Sequence, residues 1–272
     1  MLVINIGVIG TGNIGGIFVR QFSEYLKENE NSKVYFFDKN EKRAMDFSDI
    51  KNADYCDDLK RLCSNSDLIF IAVKPQDSGR LFDEIKEFDF SNKVIISTMA
   101  GITRQTMEKG LLTRNIVRIM PNVPISIGKG VIGVDFSDHI SQEKVDEICS
   151  LLEVLGIVVK IEGKNFPALT ALSGSSPAFI FVMIETLIDA GLMMGLSYDV
   201  SKKLVLGTLA GTTSLLMEND KLHPAVMRNK VTSPGGTTID GIYRLEREGL
   251  RGILLKTMLE THNKARELSK EE

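Results

Sequence analysis

The chain has 272 residues, 43% of them apolar and 25% charged, with 33 Lys and Arg against 36 Asp and Glu for a formal net charge of −3. That is the balance of a folded protein, long enough for one large domain or two unequal ones, and it lacks the basic stripe that a nucleic-acid backbone selects. Cys56, Cys63 and Cys149 are too scattered for a disulfide framework or a zinc site. They fit a reducing compartment, the cytoplasm, and His139, His223 and His262 are too far apart to form a local metal pair, so no metal is expected.

Residues 2–9 form an apolar run without a basic leader, which reads as a first strand rather than a signal peptide. Further β-rich runs follow at 33–37, 67–73, 93–97, 115–120 and 156–160, separated by amphipathic or polar helical stretches. Continuous apolar strands alternating with helices predict a doubly wound, mostly parallel α/β sheet covered on both faces. After Glu162 the pattern becomes helical, at 177–195, 199–218 and 249–269. The polar stretch Glu162-Gly163-Lys164-Asn165 divides a domain at 1–162 from an all-helical one at 163–272. The most apolar stretch, 177–196, carries Glu185 and Asp189, whose cost in a bilayer argues for a buried core helix and no membrane partner. The stripes Leu204, Leu206, Leu209 and Leu254, Leu255, Met258 exceed what a small helical domain covers alone, so a homodimer is expected.

Gly10-Thr11-Gly12-Asn13-Ile14-Gly15 directly follows the first strand and opens a helix. In that context the first Gly permits a tight turn, the second lets backbone approach a pyrophosphate, and the third lets helix pack on strand. Asp38, closing the second strand, is placed to accept the ribose hydroxyls of NADH. Lys39, Lys42 and Arg43 beside it are alternatives for a 2′-phosphate, or plain solvated side chains. The balance favours NADH over NADPH, because Asp38 is fixed by its strand and repels a phosphate at close range. The segment Ala72-Val73-Lys74-Pro75 ends the third strand, where doubly wound sheets bind ligands, and so Lys74 is expected to touch the cofactor.

In the helical half, Val231-Thr232-Ser233-Pro234-Gly235-Gly236-Thr237-Thr238 leads into a helix expected to begin near Ile239. Its backbone N–H groups and hydroxyls suit a small anion at a helix start; the alternative is an ordinary connection with Thr238 as N-cap. No nucleophile with an adjacent base is visible, and hydride transfer requires none.

GTGNIG at 10–15, AVKPQ at 72–76, STMAGIT at 97–103, RIMPNVP at 118–124, ALSGSSPAF at 171–179 and HPAVMRNKVTSPGGTT at 223–238 together resemble the pyrroline-5-carboxylate reductase family from end to end. The resemblance implies a Rossmann domain followed by a helical domain that interleaves with its twin in a homodimer, and larger assemblies built from dimers. It implies NAD(P)H-dependent reduction of a cyclic imine to proline, with the nicotinamide near Lys74, Ala100 and Asn122. It implies a substrate carboxylate on the loop of Ser233, Gly235, Gly236, Thr237 and Thr238, and a Thr238 hydroxyl beside the ring nitrogen. Ser176 and Phe179 stand where the family motif has Gly and Tyr. Two other readings share parts of this pattern. A β-hydroxyacid or 6-phosphogluconate-type dehydrogenase needs a helical-domain lysine, for which Lys202, Lys203 and Lys230 lie in no matching motif. A non-catalytic dinucleotide-binding regulatory paralogue is expected to lose the substrate loop, which here is intact.

Overall fold

Residues 4–29, 31–219 and 221–269 are described by a computed structural model. Eight strands form one sheet: β1 (Ile6–Ile9), β2 (Val34–Phe37), β3 (Ala53–Tyr55), β4 (Leu68–Ile71), β5 (Val94–Ser97), β6 (Ile116–Pro121), β7 (Gly130–Phe136) and β8 (Gly156–Lys160). Their order is β3-β2-β1-β4-β5-β6-β7-β8. All pairs are parallel except β6 with β7, where Val117 lies opposite Phe136 and Pro121 opposite Ile132. The mostly parallel sheet is as expected, while β3 and β7 lie outside the apolar runs that predict strands.

The continuous apolar runs have a simple cause: successive side chains enter two different cores. Leu68 and Phe70 of β4 point into one, with Phe18, Phe22 and Phe36, whereas Ile69 and Ile71 point into the other, with Leu62, Phe82 and Ile95. The rings of Phe18, Phe22 and Phe70 lie 4.9–5.4 Å apart by centroid. Each such fully buried side chain contributes roughly 1.5–3 kcal/mol relative to exposure. The covering helices are α1 (Asn13–Leu26), α2 (Glu41–Met45), α3 (Leu59–Asn65), α4 (Ser78–Ile85), α5 (Arg104–Leu111) and α6 (Gln142–Glu153). Asp58, Thr103 and Ser141 cap α3, α5 and α6 through their side chains.

After β8 come α7 (Phe166–Leu169), a π-helical turn at Thr170–Ser175, α8 (Ser176–Met193), α9 (Tyr198–Glu218), α10 (Pro224–Lys230), α11 (Thr237–Arg247) and α12 (Leu250–Leu268). By internal contacts the described residues up to Ser175, with 261–269, make one compact unit, and Ser176–Glu260 make a second. Within the second, α8 and α9 approach so closely that a Cβ on Gly191 would lie 2.3 Å from the Ser201 Oγ. Gly195, at φ +87°, ends α8 in the left-handed region that glycine tolerates.

In the single chain, 177–196 is not the buried core helix expected of it. On α8 only Ile188 and Gly191 are buried in the single chain, while Phe181 is 62% and Val182 61% exposed. The reason is that α8 is apolar all round, and the other helices of the second unit cover only part of it. The helical stretch Gly163–Met193 is long and apolar enough to cross a membrane by length and composition. Glu185 and Asp189 on it would each cost roughly 2.5–3.5 kcal/mol at a bilayer centre.

Candidate functional site: a cleft at the sheet and a loop in the helical unit

Sheet order reverses between β1 and β4, and there a cleft of about 1110 Å³ opens. Its walls come from the carboxyl ends of β1, β2, β4 and β5. Of the expected cofactor residues, Gly10, Thr11, Gly12, Asn13, Ile14, Asp38, Ala72, Lys74, Pro75 and Ala100 line it. Arg20, Thr98 and Met99 line it too and were not anticipated; Thr98 and Met99 directly follow β5, a position that already marks a ligand-facing turn.

The three glycines of the turn do different work. Gly10 has φ +92°, and a Cβ there would meet the Ala72 carbonyl oxygen at 2.9 Å. On Gly15 a Cβ would fall 1.8 Å from the Gly10 carbonyl oxygen, so this glycine closes α1 onto β1 and does not line the cleft. Gly12 has no chain atom within 4 Å of its Cβ position, leaving backbone open toward the cleft. As N-cap of α1 it provides no side-chain acceptor to the first-turn N–H groups.

Asp38 is 6% exposed. Its Oδ2 accepts from the Thr11 N–H at 2.7 Å and from the Thr11 hydroxyl at 3.1 Å, and its Oδ1 accepts from the Asn40 N–H at 2.8 Å. The Arg43 guanidinium lies 3.6 Å from Oδ2. The carboxylate therefore braces the glycine turn as well as facing the cleft. Lys39 pairs with Asp77 at 2.7 Å, and that hydrogen bond holds the Asp77 carboxyl below its ordinary range. Arg20 stacks over the Phe47 ring at 4.8 Å.

Asn122 does not line the cleft. Its side chain bonds Val131 and Ser173 instead. A second, more open cleft of about 770 Å³ lies by Arg104, Arg118, Asp135 and Lys160. Burial raises the Asp135 carboxyl, an effect opposed by Arg104 at 3.5 Å and by Arg118, whose guanidinium stacks over Phe166 at 4.3 Å.

In the second unit, His223 caps α10 by accepting at Nδ1 from the Ala225 N–H at 3.2 Å. At the other end of α10 the Thr232 hydroxyl donates to the Arg228 carbonyl at 2.8 Å. A turn follows, in which Gly236 N–H donates to Ser233 O at 3.1 Å and Gly235 takes φ +68°. The next helix begins at Thr237, two residues before the expected start, with Gly236 as N-cap and no side-chain cap. Thr238 is thus not the N-cap. It lies exposed in the first turn, and among the described residues no hydrogen bond to its hydroxyl is present. Ser233, Gly235, Gly236, Thr237 and Thr238 are brought together as one short turn and helix start.

A glycine turn at the order reversal of a parallel sheet, opening into a cleft, with a helical unit after it, defines a Rossmann-type oxidoreductase. Comparison with known proteins narrows the class. Residues 163–268 match the family model described as pyrroline-5-carboxylate reductase dimerisation, and residues 5–101 match that described as NADP oxidoreductase coenzyme F420-dependent. The chain is 37% identical to the pyrroline-5-carboxylate reductase of Aquifex aeolicus over 270 residues, 98% of each chain. It is 31% identical to that of Corynebacterium melassecola, over 97% of this chain and 98% of the relative. The solved pyrroline-5-carboxylate reductase of Coxiella burnetii matches with a TM-score of 0.89 at 28% identity, covering 98% of this chain and 99% of that one. The pyrroline carboxylate reductase of Plasmodium falciparum, solved with NADP bound, matches at 0.83 and 26% over 98% of each chain. A 3-hydroxyisobutyrate dehydrogenase of Mycobacterium tuberculosis, at 10% identity and a TM-score of 0.52 over 72% of this chain and 67% of its own, shares the fold alone. The chain belongs to the pyrroline-5-carboxylate reductase family.

Proposed function

We propose that this protein reduces 1-pyrroline-5-carboxylate to L-proline, the last step of proline biosynthesis. The observation that carries the reading is the 37% identity to a pyrroline-5-carboxylate reductase across 98% of both chains. NAD(P)H held there would supply a hydride for carbon five of the protonated cyclic imine, whose ring nitrogen would keep its proton and become a secondary amine. The cleft suits the dinucleotide, since at Gly12 a pyrophosphate can approach backbone that a larger residue would cover. Gly10, Thr11, Gly12, Asn13, Ile14 and Gly15 form the phosphate turn, Asp38 takes the ribose, and Ala72, Lys74, Pro75 and Ala100 face the nicotinamide end. Ser233, Gly235, Gly236 and Thr237 hold the substrate carboxylate, and the Thr238 hydroxyl, with no partner among the described residues, meets the ring nitrogen.

Domains at 1–162 and 163–272 divide these tasks, and the exposed apolar helices of the second pair with another copy in a homodimer, from which larger assemblies are built. In the cytoplasm Cys56, Cys63 and Cys149 remain free thiols. For the cofactor, NADH is preferred, because the buried Asp38 carboxylate repels a 2′-phosphate more than the exposed Arg43 attracts one. The deciding experiment is oxidation of NADH and of NADPH by the purified protein with 1-pyrroline-5-carboxylate. Turnover with neither cofactor overturns the activity, and a kcat/KM favouring NADPH overturns the cofactor choice.

A further inference from the structure

Asn122 directly follows β6, one strand beyond those whose ends line the cleft, yet its side chain is committed to the chain itself. Its Oδ1 accepts from the Val131 N–H at 2.8 Å. Its Nδ2 donates to the Ser173 carbonyl at 3.3 Å and to the Ser173 hydroxyl at 3.2 Å. The orientation of the amide follows from these partners, because exchanging its oxygen and nitrogen would set an NH₂ group against the Val131 N–H. One side chain thereby joins the end of β6, the second residue of β7 and the turn Thr170–Ser175.

That turn is π-helical, and Ser173 within it is 8% exposed. A π-helical turn holds one residue more than an α-turn and displaces the regular backbone bonding, so its groups need partners from elsewhere. The Ser173 carbonyl finds one in the Asn122 amide, across 51 residues of sequence. At this turn the chain leaves the first unit for α8.

We propose that Asn122 is a positioning residue, a latch that holds the π-helical turn Thr170–Ser175 on the carboxyl end of the sheet, and that it acts on turnover through Ser173 rather than by binding dinucleotide. The proposal rests on the reading of the cleft as the site of hydride transfer. Small displacements of positioning groups affect chemistry far more than binding, since reacting atoms must approach within about 3–3.5 Å.

The test compares Asn122→Asp, Ser173→Ala and the double variant with the unsubstituted enzyme. Asn122→Asp keeps the acceptor for Val131 N–H. Its carboxylate can still accept from the Ser173 hydroxyl but faces the Ser173 carbonyl without a donor. Expected for Asn122→Asp are a kcat lowered about ten-fold, an NAD(P)H Kd within two-fold of normal, and faster amide exchange in peptides spanning 170–178. Ser173→Ala should lower kcat by a smaller factor, and that factor should shrink in the Asn122→Asp background, because both changes act on one contact. A ten-fold weaker Kd with unchanged exchange at 170–178 overturns the proposal and makes Asn122 a direct cofactor ligand. Unchanged kcat and exchange overturn it as well. If the unsubstituted enzyme binds NAD(P)H but does not turn over 1-pyrroline-5-carboxylate, the functional reading fails, and the exchange measurement still decides whether the latch exists.

Discussion

Phe18, Phe22, Phe36 and Phe70 of the first unit are fully buried, whereas in the second Phe181 is 62%, Leu204 57% and Leu255 65% exposed. The first unit closes its core within one chain because a sheet buried on both faces needs only the helices its own crossovers supply. The second consists of amphipathic and apolar helices and has no sheet of its own. Neither α10 nor α11, which flank the Ser233–Thr238 turn, has a buried residue. The proposed catalytic loop is thus built on the half of the molecule least able to order itself alone, and a second copy is the natural cover.

The most direct way to break this contrast is to charge the apolar surface. Phe181→Glu combined with Leu206→Glu should yield a monomer by light scattering at micromolar concentration. Imine reduction should fall more than about a hundred-fold, or 2.7 kcal/mol of transition-state stabilisation, as the loop loses its support. Binding of NAD(P)H should persist, since the cleft is lined by residues of the first unit. A fully active monomer would show that the helical unit needs no partner.

Within the first unit, Gly12 and Gly15 separate a ligand-facing role from a packing one. Gly12→Val should weaken NAD(P)H by about a hundred-fold, near 2.7 kcal/mol, with an unchanged melting curve. Gly15→Ala forces a Cβ onto the Gly10 carbonyl oxygen, and destabilisation of at least about 1–3 kcal/mol should accompany any loss of affinity. Equal effects of the two on melting would dissolve the distinction.

Thr238→Ala makes the matching test in the second unit. Because Gly236 is the N-cap, the loss of about 0.5–2 kcal/mol that follows removal of a capping hydroxyl should not appear. If the hydroxyl meets the ring nitrogen, kcat should drop by about ten- to a hundred-fold, with KM changing less. A normal kcat would leave the Gly236 and Thr237 backbone as the remaining candidate. A smaller effect is expected of Asp38→Ser, which should move the kcat/KM ratio toward NADPH by about ten-fold, or 1.4 kcal/mol. It also removes the acceptor that braces Thr11, so some loss with both cofactors should accompany the shift. An unchanged ratio would confine Asp38 to bracing the turn.

How much of this was legible in the sequence depends on whether the signal was local. The four-residue apolar strands β1, β2, β4 and β5 and the long helices α8, α9 and α12 lie where periodicity puts them. β7 escaped because Gly130 opens it and Gly133 interrupts its apolar run, at a place where a Cβ would lie 2.0 Å from the Leu169 side chain. β3 is a three-residue edge, and α10 is a single capped segment of seven residues. Hydropathy marked 177–196 as apolar but carries no information on which molecule covers it. At the cleft, the glycine turn, Asp38 and the strand-end residues were readable because each is tied to a strand terminus. The bonds from Asn122 to Ser173 were not, since they depend on a π-helical turn and a long-range contact.

The smallest expected effect uses the thiols as reporters on the first unit. Burial pushes the Cys56 thiol up to about 11 and the Cys63 thiol up to about 12, and the two side chains are 0% and 2% exposed. At pH 8 the thiolate of such groups is roughly one part in a thousand and one in ten thousand, and it is the thiolate that attacks a disulfide reagent. Cys149 is raised by burial too, but it is only partly buried, and Lys160 opposes the shift. In the native protein one thiol, Cys149, should therefore react with Ellman's reagent, the other two following only on unfolding in denaturant. The same count in the Phe181→Glu, Leu206→Glu variant sharpens the contrast between the units. The residues that cover Cys56 and Cys63, among them Leu59, Leu62, Ile69 and Ile71, all lie in the first unit. Separating the copies should leave both thiols protected, with the second unit alone loosened. Reaction of all three thiols in that monomer would mean that the first unit, too, depends on the assembly for its core.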